Sequence, residues 1–79
     1  MDRSFYLRLR MLRSNIQDFG INAEHCWELM KVAEDMRVAG YTGFDRELSD
    51  FKQDFNWWGG YQNSWRNLHD QCMKVLLIF

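Results

Sequence analysis

The spacing of apolar residues is the feature that most limits what this chain can fold into. Large apolar side chains recur every three or four positions in four successive segments, which is the period of one helix face. In the first segment these positions are Phe5, Leu9, Leu12, Ile16 and Phe19. No segment alternates apolar and polar residues as a strand would, and the 79 residues include no proline to break a helix. The sequence therefore predicts an all-α domain, a compact bundle of four helices.

Residues that favour helix ends delimit the first two helices. Ser4 is a good N-cap because its hydroxyl can accept a hydrogen bond from a free backbone N–H, which predicts a first helix over 4–19. Asn22 is the corresponding N-cap of a second helix, predicted over 22–39. Each helix is followed by a glycine suited to the left-handed conformation in which helices commonly end: Gly20 and Gly40.

The second half of the chain contains two further helices and one ambiguous stretch. Thr42 followed by Asp45 approximates a capping box at the start of the third helix. Two adjacent glycines would each cost about 1 kcal/mol inside a helix, so a loop is predicted over 56–60. The last and longest helix then runs over 61–77. The apolar rhythm continues through the glycines, and a single helix capped by Asn56 stays open as the alternative.

The chain has more aromatic residues than one small core requires. Apolar residues make up 47% of the sequence and aromatic residues 16%. Eight aromatic residues fall on the apolar faces and are predicted core residues: Phe5, Phe19, Phe44, Phe51, Phe55, Trp58, Tyr61 and Trp65. Other large residues miss these faces: Tyr6, Leu7, Met11, Trp27, Tyr41, Trp57 and Leu77. They either cover the edge of the core or form a contact surface.

Charge is distributed unevenly although the net charge is only −1. Residues 1–20 carry a net +2, residues 21–55 a net −4 and residues 56–79 a net +1. The four arginines of residues 1–20 either pair with acidic residues of other segments or bind phosphates or an acidic protein. Because Trp, Tyr and Arg are enriched at the energetic centres of interfaces, six residues are the candidate partner-binding set: Trp27, Trp57, Tyr41, Tyr6, Arg10 and Arg13.

The two cysteines and two histidines do not form a recognisable chemical motif. Together they could make a tetrahedral zinc site, but His25 and Cys26 are adjacent, and neighbours on a helix point about 100° apart. His69 and Cys72 lie one helical turn apart, a spacing too common to indicate a nucleophile and its base. Both cysteines fall on apolar faces, so we expect buried free thiols rather than a disulfide, with no metal, no cofactor and no enzymatic activity.

Several short motifs resemble those of the YozE-type bacterial proteins, which are similar to sterile-alpha-motif domains. The matching residues are Ser4-Phe5-Tyr6, Phe44-Asp45, Leu48-Ser49-Asp50-Phe51 and Trp65. The resemblance implies a short, helical, non-enzymatic protein with a SAM-like fold. The chain departs from this family where a Phe-Pro step should precede the third helix, because residues 40–43 there contain no proline.

These observations together predict one helical domain, residues 1–79, that binds another macromolecule without catalysis. We expect a protein partner and a role as a stoichiometric inhibitor or adaptor, such as a phage- or mobile-element-encoded inhibitor of a host or defence complex. The alternatives are a nucleic-acid-binding module using the arginines of the first helix, and self-assembly, for example as a homodimer, through Val75–Phe79. That run is also the longest apolar one, too short for a membrane span, and the N-terminus lacks an apolar signal core, so a cytoplasmic protein is expected.

Overall fold

Four α-helices make up the part of the chain that the computed structural model describes, residues 3–56 and 61–78. These helices are α1 (Arg3–Phe19), α2 (Ala23–Val38), α3 (Asp45–Asn56) and α4 (Tyr61–Ile78). No strand occurs within these residues, and α4 is the longest helix at 18 residues. The predicted all-α, four-helix architecture is confirmed.

The turn after α1 decides which apolar residues reach the core. Gly20 has a φ of +79°, and its N–H donates to the carbonyl of Ile16 at 2.8 Å, the single bond of a left-handed helix end. Ile16 and Ile21, on either side of this turn, both pack against the core. Phe19, predicted to be a core residue, is instead 80% exposed. The prediction was wrong because the reversal at Gly20 brings Ile21 to the end of the core, while Phe19 stays at the outer end of α1.

Both ends of α2 are closed by hydrogen bonds that the sequence predicts. The side chain of Asn22 accepts from the N–H of His25 at 3.0 Å, which confirms Asn22 as the N-cap. At the other end Gly40 has a φ of +100°, and the N–H of Tyr41 donates to the carbonyl of Met36 at 3.0 Å. This is the six-to-one bond of a Schellman motif, which carries Tyr41 back against the core.

Two predicted helix starts are wrong by one or more residues. α1 begins at Arg3, so Ser4 lies within its first turn rather than at the N-cap. α3 begins at Asp45, whereas the predicted capping box requires Asp45 to be the third helical residue after Thr42. The burial of Phe44 sets this start instead. The carbonyl of Phe44 accepts a hydrogen bond from the N–H of Leu48 at 2.9 Å, which begins the helix.

The stretch between α3 and α4 is only partly described. Asn56, predicted as the first loop residue or as a helix cap, is the last residue of α3. The remainder of the predicted loop, residues 57–60, lies outside the described residues. Trp57 and Trp58, predicted as a partner-binding residue and a core residue, therefore also lie outside them.

All four helices contribute to the core. Its largest fully buried side chains include Leu9, Leu29, Met36, Phe44, Phe51, Leu68 and Leu76. Of the predicted aromatic core, Phe5, Phe44, Phe51 and Trp65 are buried, while Phe55 and Tyr61 are half-buried and pack against it.

Ion pairs connect α1 to the helices on either side of it. Arg8 binds Asp35 of α2 at 3.0 Å, and Arg13 binds Asp70 of α4 at 2.9 Å. Pairing between the basic first helix and acidic residues elsewhere, one of the two predicted explanations of its arginines, is thus observed for Arg8 and Arg13. Since all four side chains are at least one-third exposed, each pair contributes no more than about 1 kcal/mol.

Candidate protein-interaction surface

Trp27 is the single Trp, Tyr or Phe residue of α2, and its side chain is largely exposed. It is 63% exposed, although an indole ring is among the most costly side chains to leave in water. Trp27 nevertheless has a fixed neighbour, because its ring meets that of Phe55 in α3 edge to face, with centroids 6.2 Å apart and planes at 79°. One side of the indole is therefore held by the protein while most of its surface faces solvent.

The rings that support Trp27 continue into the core. Phe55 stacks on the fully buried Phe51 at 6.3 Å and meets Tyr61 edge to face at 6.4 Å. Edge-to-face and stacked pairs are worth about 0.5–1.5 kcal/mol beyond the area that they bury. This aromatic series connects Trp27 to the core through Phe55.

A shallow groove of about 430 Å³ lies beside Trp27, between α2 and α3. We call it the α2–α3 groove. Met30 contributes apolar surface to it, and the ion pair between Glu34 and Lys52, at 2.7 Å, crosses between the two helices. Lys52 also lowers the pKa of Glu34 through this hydrogen bond. The groove thus has an apolar part beside Trp27 and a charged border.

Tyr6 and Arg10 form a local pair on α1. The guanidinium carbon of Arg10 lies 5.7 Å from the centroid of the Tyr6 ring, within the range of a cation–π contact. Tyr41 has a different environment, since its ring meets that of Phe5 edge to face at 5.7 Å. Tyr6 and Tyr41 are both half-buried and packed against the core. Both tyrosine side chains cover the core near the N-terminal end of α1.

Those of the predicted partner-binding residues that the structure describes do not form one patch. Trp27 is in the second turn of α2, and Tyr41 follows the other end of that helix. The 14 intervening steps correspond to about 20 Å along the helix axis. Tyr41 contacts Phe5 near the start of α1, whereas Trp27 contacts the end of α3. Arg13 is occupied by Asp70. Trp27 therefore stands apart from the other described candidates.

His69 has a structural role that was not predicted from the sequence. It is 2% exposed, and its Nε2 lies 2.9 Å from the carbonyl oxygen of Leu9 in α1. A carbonyl only accepts, so Nε2 carries the proton and donates. The ring also stacks on Trp65 at 5.1 Å. The signal was present, because His69 follows Trp65 by four residues and precedes Cys72 by three, which places it on the apolar face of α4, where a buried polar group needs a partner.

The two cysteines are buried and free, as predicted. Desolvation raises the pKa of the Cys26 thiol to about 11 and that of Cys72 to about 12, with the charge of Glu47 adding to the effect at Cys72. Both thiols therefore stay protonated near neutral pH and are poor nucleophiles. Within residues 3–56 and 61–78, no three His, Cys, Asp or Glu side chains are grouped so that they could hold a metal ion.

Several exposed apolar residues were not predicted to be exposed. Phe19, Val38 and Ile78 are 80–90% exposed, and each is the last residue of its helix. A helix end extends beyond the neighbours that cover the middle of the helix, a factor that periodicity alone does not include. Of the four described helices, none combines the length and the apolar character needed to cross a membrane.

The fold and this surface define a small all-α domain with a supported, exposed tryptophan. Comparisons with protein-family models, with curated proteins and with solved structures gave no match. The resemblance to the YozE-type proteins therefore stays a prediction, as does the SAM-like form of the bundle.

Proposed function

We propose that this chain is a non-catalytic domain that binds another protein through Trp27 and the α2–α3 groove. The observation that carries the proposal is the 63% exposure of an indole that Phe55 already holds in position. An ordered side chain loses little conformational entropy on binding, so most of the burial energy of the ring is available for affinity. Tryptophan is also among the residues most enriched at interface hot spots.

The surroundings of Trp27 suit a protein ligand. Trp27 itself presents the exposed apolar surface, since Met30 is only 8% exposed, while Glu28, Lys31 and Lys52 border the groove with charges of both signs. An apolar centre with a polar border is the usual anatomy of a protein–protein interface. A strongly charged ligand such as nucleic acid would meet no matching field here.

The non-catalytic part of the proposal is supported by the state of the candidate nucleophiles. Cys72 is fully buried with a pKa of about 12, and Nε2 of the nearby His69 is directed at a backbone carbonyl. Neither side chain is available to attack a substrate. A domain of this size that binds a protein acts stoichiometrically, and an inhibitor or adaptor, encoded by a phage or mobile element, is the role that we propose.

Replacing Trp27 with alanine tests the proposal. The tagged wild-type chain captures partners from its native host, and calorimetry then gives the affinity and stoichiometry for a purified partner. We expect Trp27→Ala to weaken binding by at least about 2 kcal/mol, roughly 30-fold, because it removes a preorganised anchor. Circular dichroism should show an unchanged fold, since the side chain is mostly exposed.

Leu77→Ala is the matched control because Leu77 is similarly exposed, at 73%, but lies near the end of α4. Its affinity should equal that of the wild type. An unchanged affinity for Trp27→Ala would remove this surface from the proposal. A loss caused by Leu77→Ala, together with a dimer in sedimentation analysis, would instead favour self-assembly through the C-terminal end.

A further inference from the structure

A second groove, between α1 and α2, combines exposed apolar side chains with unpaired carboxylates. This α1–α2 groove encloses about 450 Å³, and Leu12 and Val32 line its buried side. Met11 and Phe19 line its α1 side and are 66% and 80% exposed. Two large apolar side chains that line one groove and face water form a favourable surface for an apolar ligand.

The α2 side of the groove is acidic. Glu24 and Glu28 lie one helical turn apart on the same face of α2, and both are exposed. No basic side chain among the described residues forms an ion pair with either of them. By contrast, Glu34 and Asp35, in the later part of the same helix, are both paired. Arg8 also lines the groove but is already paired with Asp35, so the carboxylates of Glu24 and Glu28 are left without a cation within the described part of the chain.

We propose that the α1–α2 groove binds a short, basic amphipathic helix of a partner protein. The α2 side from Glu24 to Val32 spans about 12 Å, which matches two turns of a bound helix. The apolar face of that helix would pack against Met11 and Phe19, and its Lys or Arg side chains would reach Glu24 and Glu28. The inference rests on the proposed function in one respect, that the ligand is a segment of protein.

Charge also argues against the other occupants of this groove. The phosphates of a nucleic acid would be repelled by the two carboxylates. A two-fold dimer formed through this groove would bring together four unpaired carboxylates, and the arginine that lines the groove, Arg8, is already paired with Asp35. A basic helix is the occupant that satisfies both the apolar and the charged side.

A designed peptide tests the groove directly, without the natural partner. The probe is a helix of Leu and Lys, about 18 residues or five turns long, with all its leucines on one face. A scrambled peptide of the same composition and a Leu/Glu peptide of the same pattern serve as controls. Titrated into the ¹⁵N-labelled full chain, the Leu/Lys helix should shift amide signals of α1 and α2 around the groove, and the controls should not.

Two pairs of substitutions separate the charged contribution from a general effect of net charge. Glu24→Gln with Glu28→Gln should weaken peptide binding about fivefold, since two exposed ion pairs are lost. Asp45→Asn with Asp50→Asn removes the same charge from exposed positions on α3 and should change the affinity less than about twofold.

The apolar contribution is tested by Met11→Ser with Phe19→Ser. This variant should bind the peptide more than about tenfold more weakly while keeping its fold, because both side chains are exposed in the free protein. Trp27→Ala should bind the peptide with wild-type affinity. Glu28 borders both grooves, whereas Trp27 lines only the α2–α3 groove. Met11 and Phe19 line only the α1–α2 groove. The variants at Trp27 and at Met11 with Phe19 therefore distinguish a failure of the proposed function from a failure of this inference.

Three results would overturn the inference. Signal shifts could map to the acidic residues between α3 and α4, Glu47, Asp50, Asp54 and Asp70, instead of the groove. The two charge variants could weaken binding equally, which would reduce the effect to net charge. Sedimentation could also show a dimer that Phe19→Ser converts to monomers, which would make a second copy the occupant.

Discussion

His69, Cys26 and Cys72 show how burial controls chemistry at the scale of single residues. All three are almost completely buried, yet only the histidine needs a hydrogen-bond partner, which Leu9 supplies across the boundary between α4 and α1. The cysteines satisfy their surroundings as small apolar groups. Residue types that suggest a reactive or metal-binding site in the sequence thus serve the packing of the bundle.

Thiol reactivity should report this burial. With pKa values of about 11 and about 12, against a usual value near 9, Cys26 and Cys72 should not react with a thiol reagent such as DTNB at pH 8. In denaturant both should react at once. Rapid reaction of either thiol in the native protein would contradict the burial described here.

The same pKa shifts predict a direction for stability against pH. Because the folded state holds the thiol protons more tightly than the unfolded state, the thiols favour folding below about pH 9. Their contribution is lost as the pH rises from about 9 toward 11 for Cys26 and toward 12 for Cys72, because over this range unfolding releases these protons. Urea unfolding at successive pH values should therefore show a falling free energy of unfolding over that range.

At the scale of helices, the ends that depend on local signals are the ones that the sequence predicts correctly. α1 and α2 both end at a glycine with positive φ, and the N-cap of α2 is formed by the residue that the sequence predicts. These signals are local, because a cap or a left-handed glycine acts within one turn. The start of α3 differs, since burial of Phe44 by the rest of the bundle outweighs the short Thr42–Asp45 motif.

The cap of α2 can be measured by substitution. Asn22→Ala should lower the free energy of unfolding by about 1 kcal/mol, because the N–H of His25 loses its acceptor. Asn22→Asp keeps an acceptor oxygen and should retain most of the stability. The control is Asn15→Ala, the same change at an exposed position inside α1, which should not destabilise the protein. Equal effects at positions 15 and 22 in urea unfolding would argue against the cap.

At the scale of the whole molecule, one core supports the surfaces proposed for binding. Trp27 is connected to that core through Phe55 and Phe51. Met11 and Phe19 belong to α1, line the α1–α2 groove and are exposed to solvent. Substitutions at the exposed residues should therefore change binding without changing stability. Substitutions of the buried residues beneath them should change stability without changing binding.

Two phenylalanines that look equivalent in the sequence test this separation. Phe51→Ala should cost about 3–5 kcal/mol, because it leaves a cavity in the core. A domain of this size has a total stability of only about 4–12 kcal/mol, so the milder Phe51→Leu provides a measurable alternative. Phe19→Ala should change the free energy of unfolding by less than about 0.5 kcal/mol. Chemical denaturation gives all three values, and similar losses at both positions would contradict the observed exposure of Phe19.

The sequence by itself determined the number and type of the helices, the ends of α2 and most of the buried aromatic residues. Those features depend on apolar period, caps and glycines, which act over a few neighbouring residues. Only the tertiary structure decided that Phe19 faces water, that Trp27 stands apart from Tyr41, and that Arg13 is occupied by Asp70. The reason is physical: exposure and ion pairing depend on which helices lie beside a residue, and their relative positions are not encoded in the periodicity of any one helix.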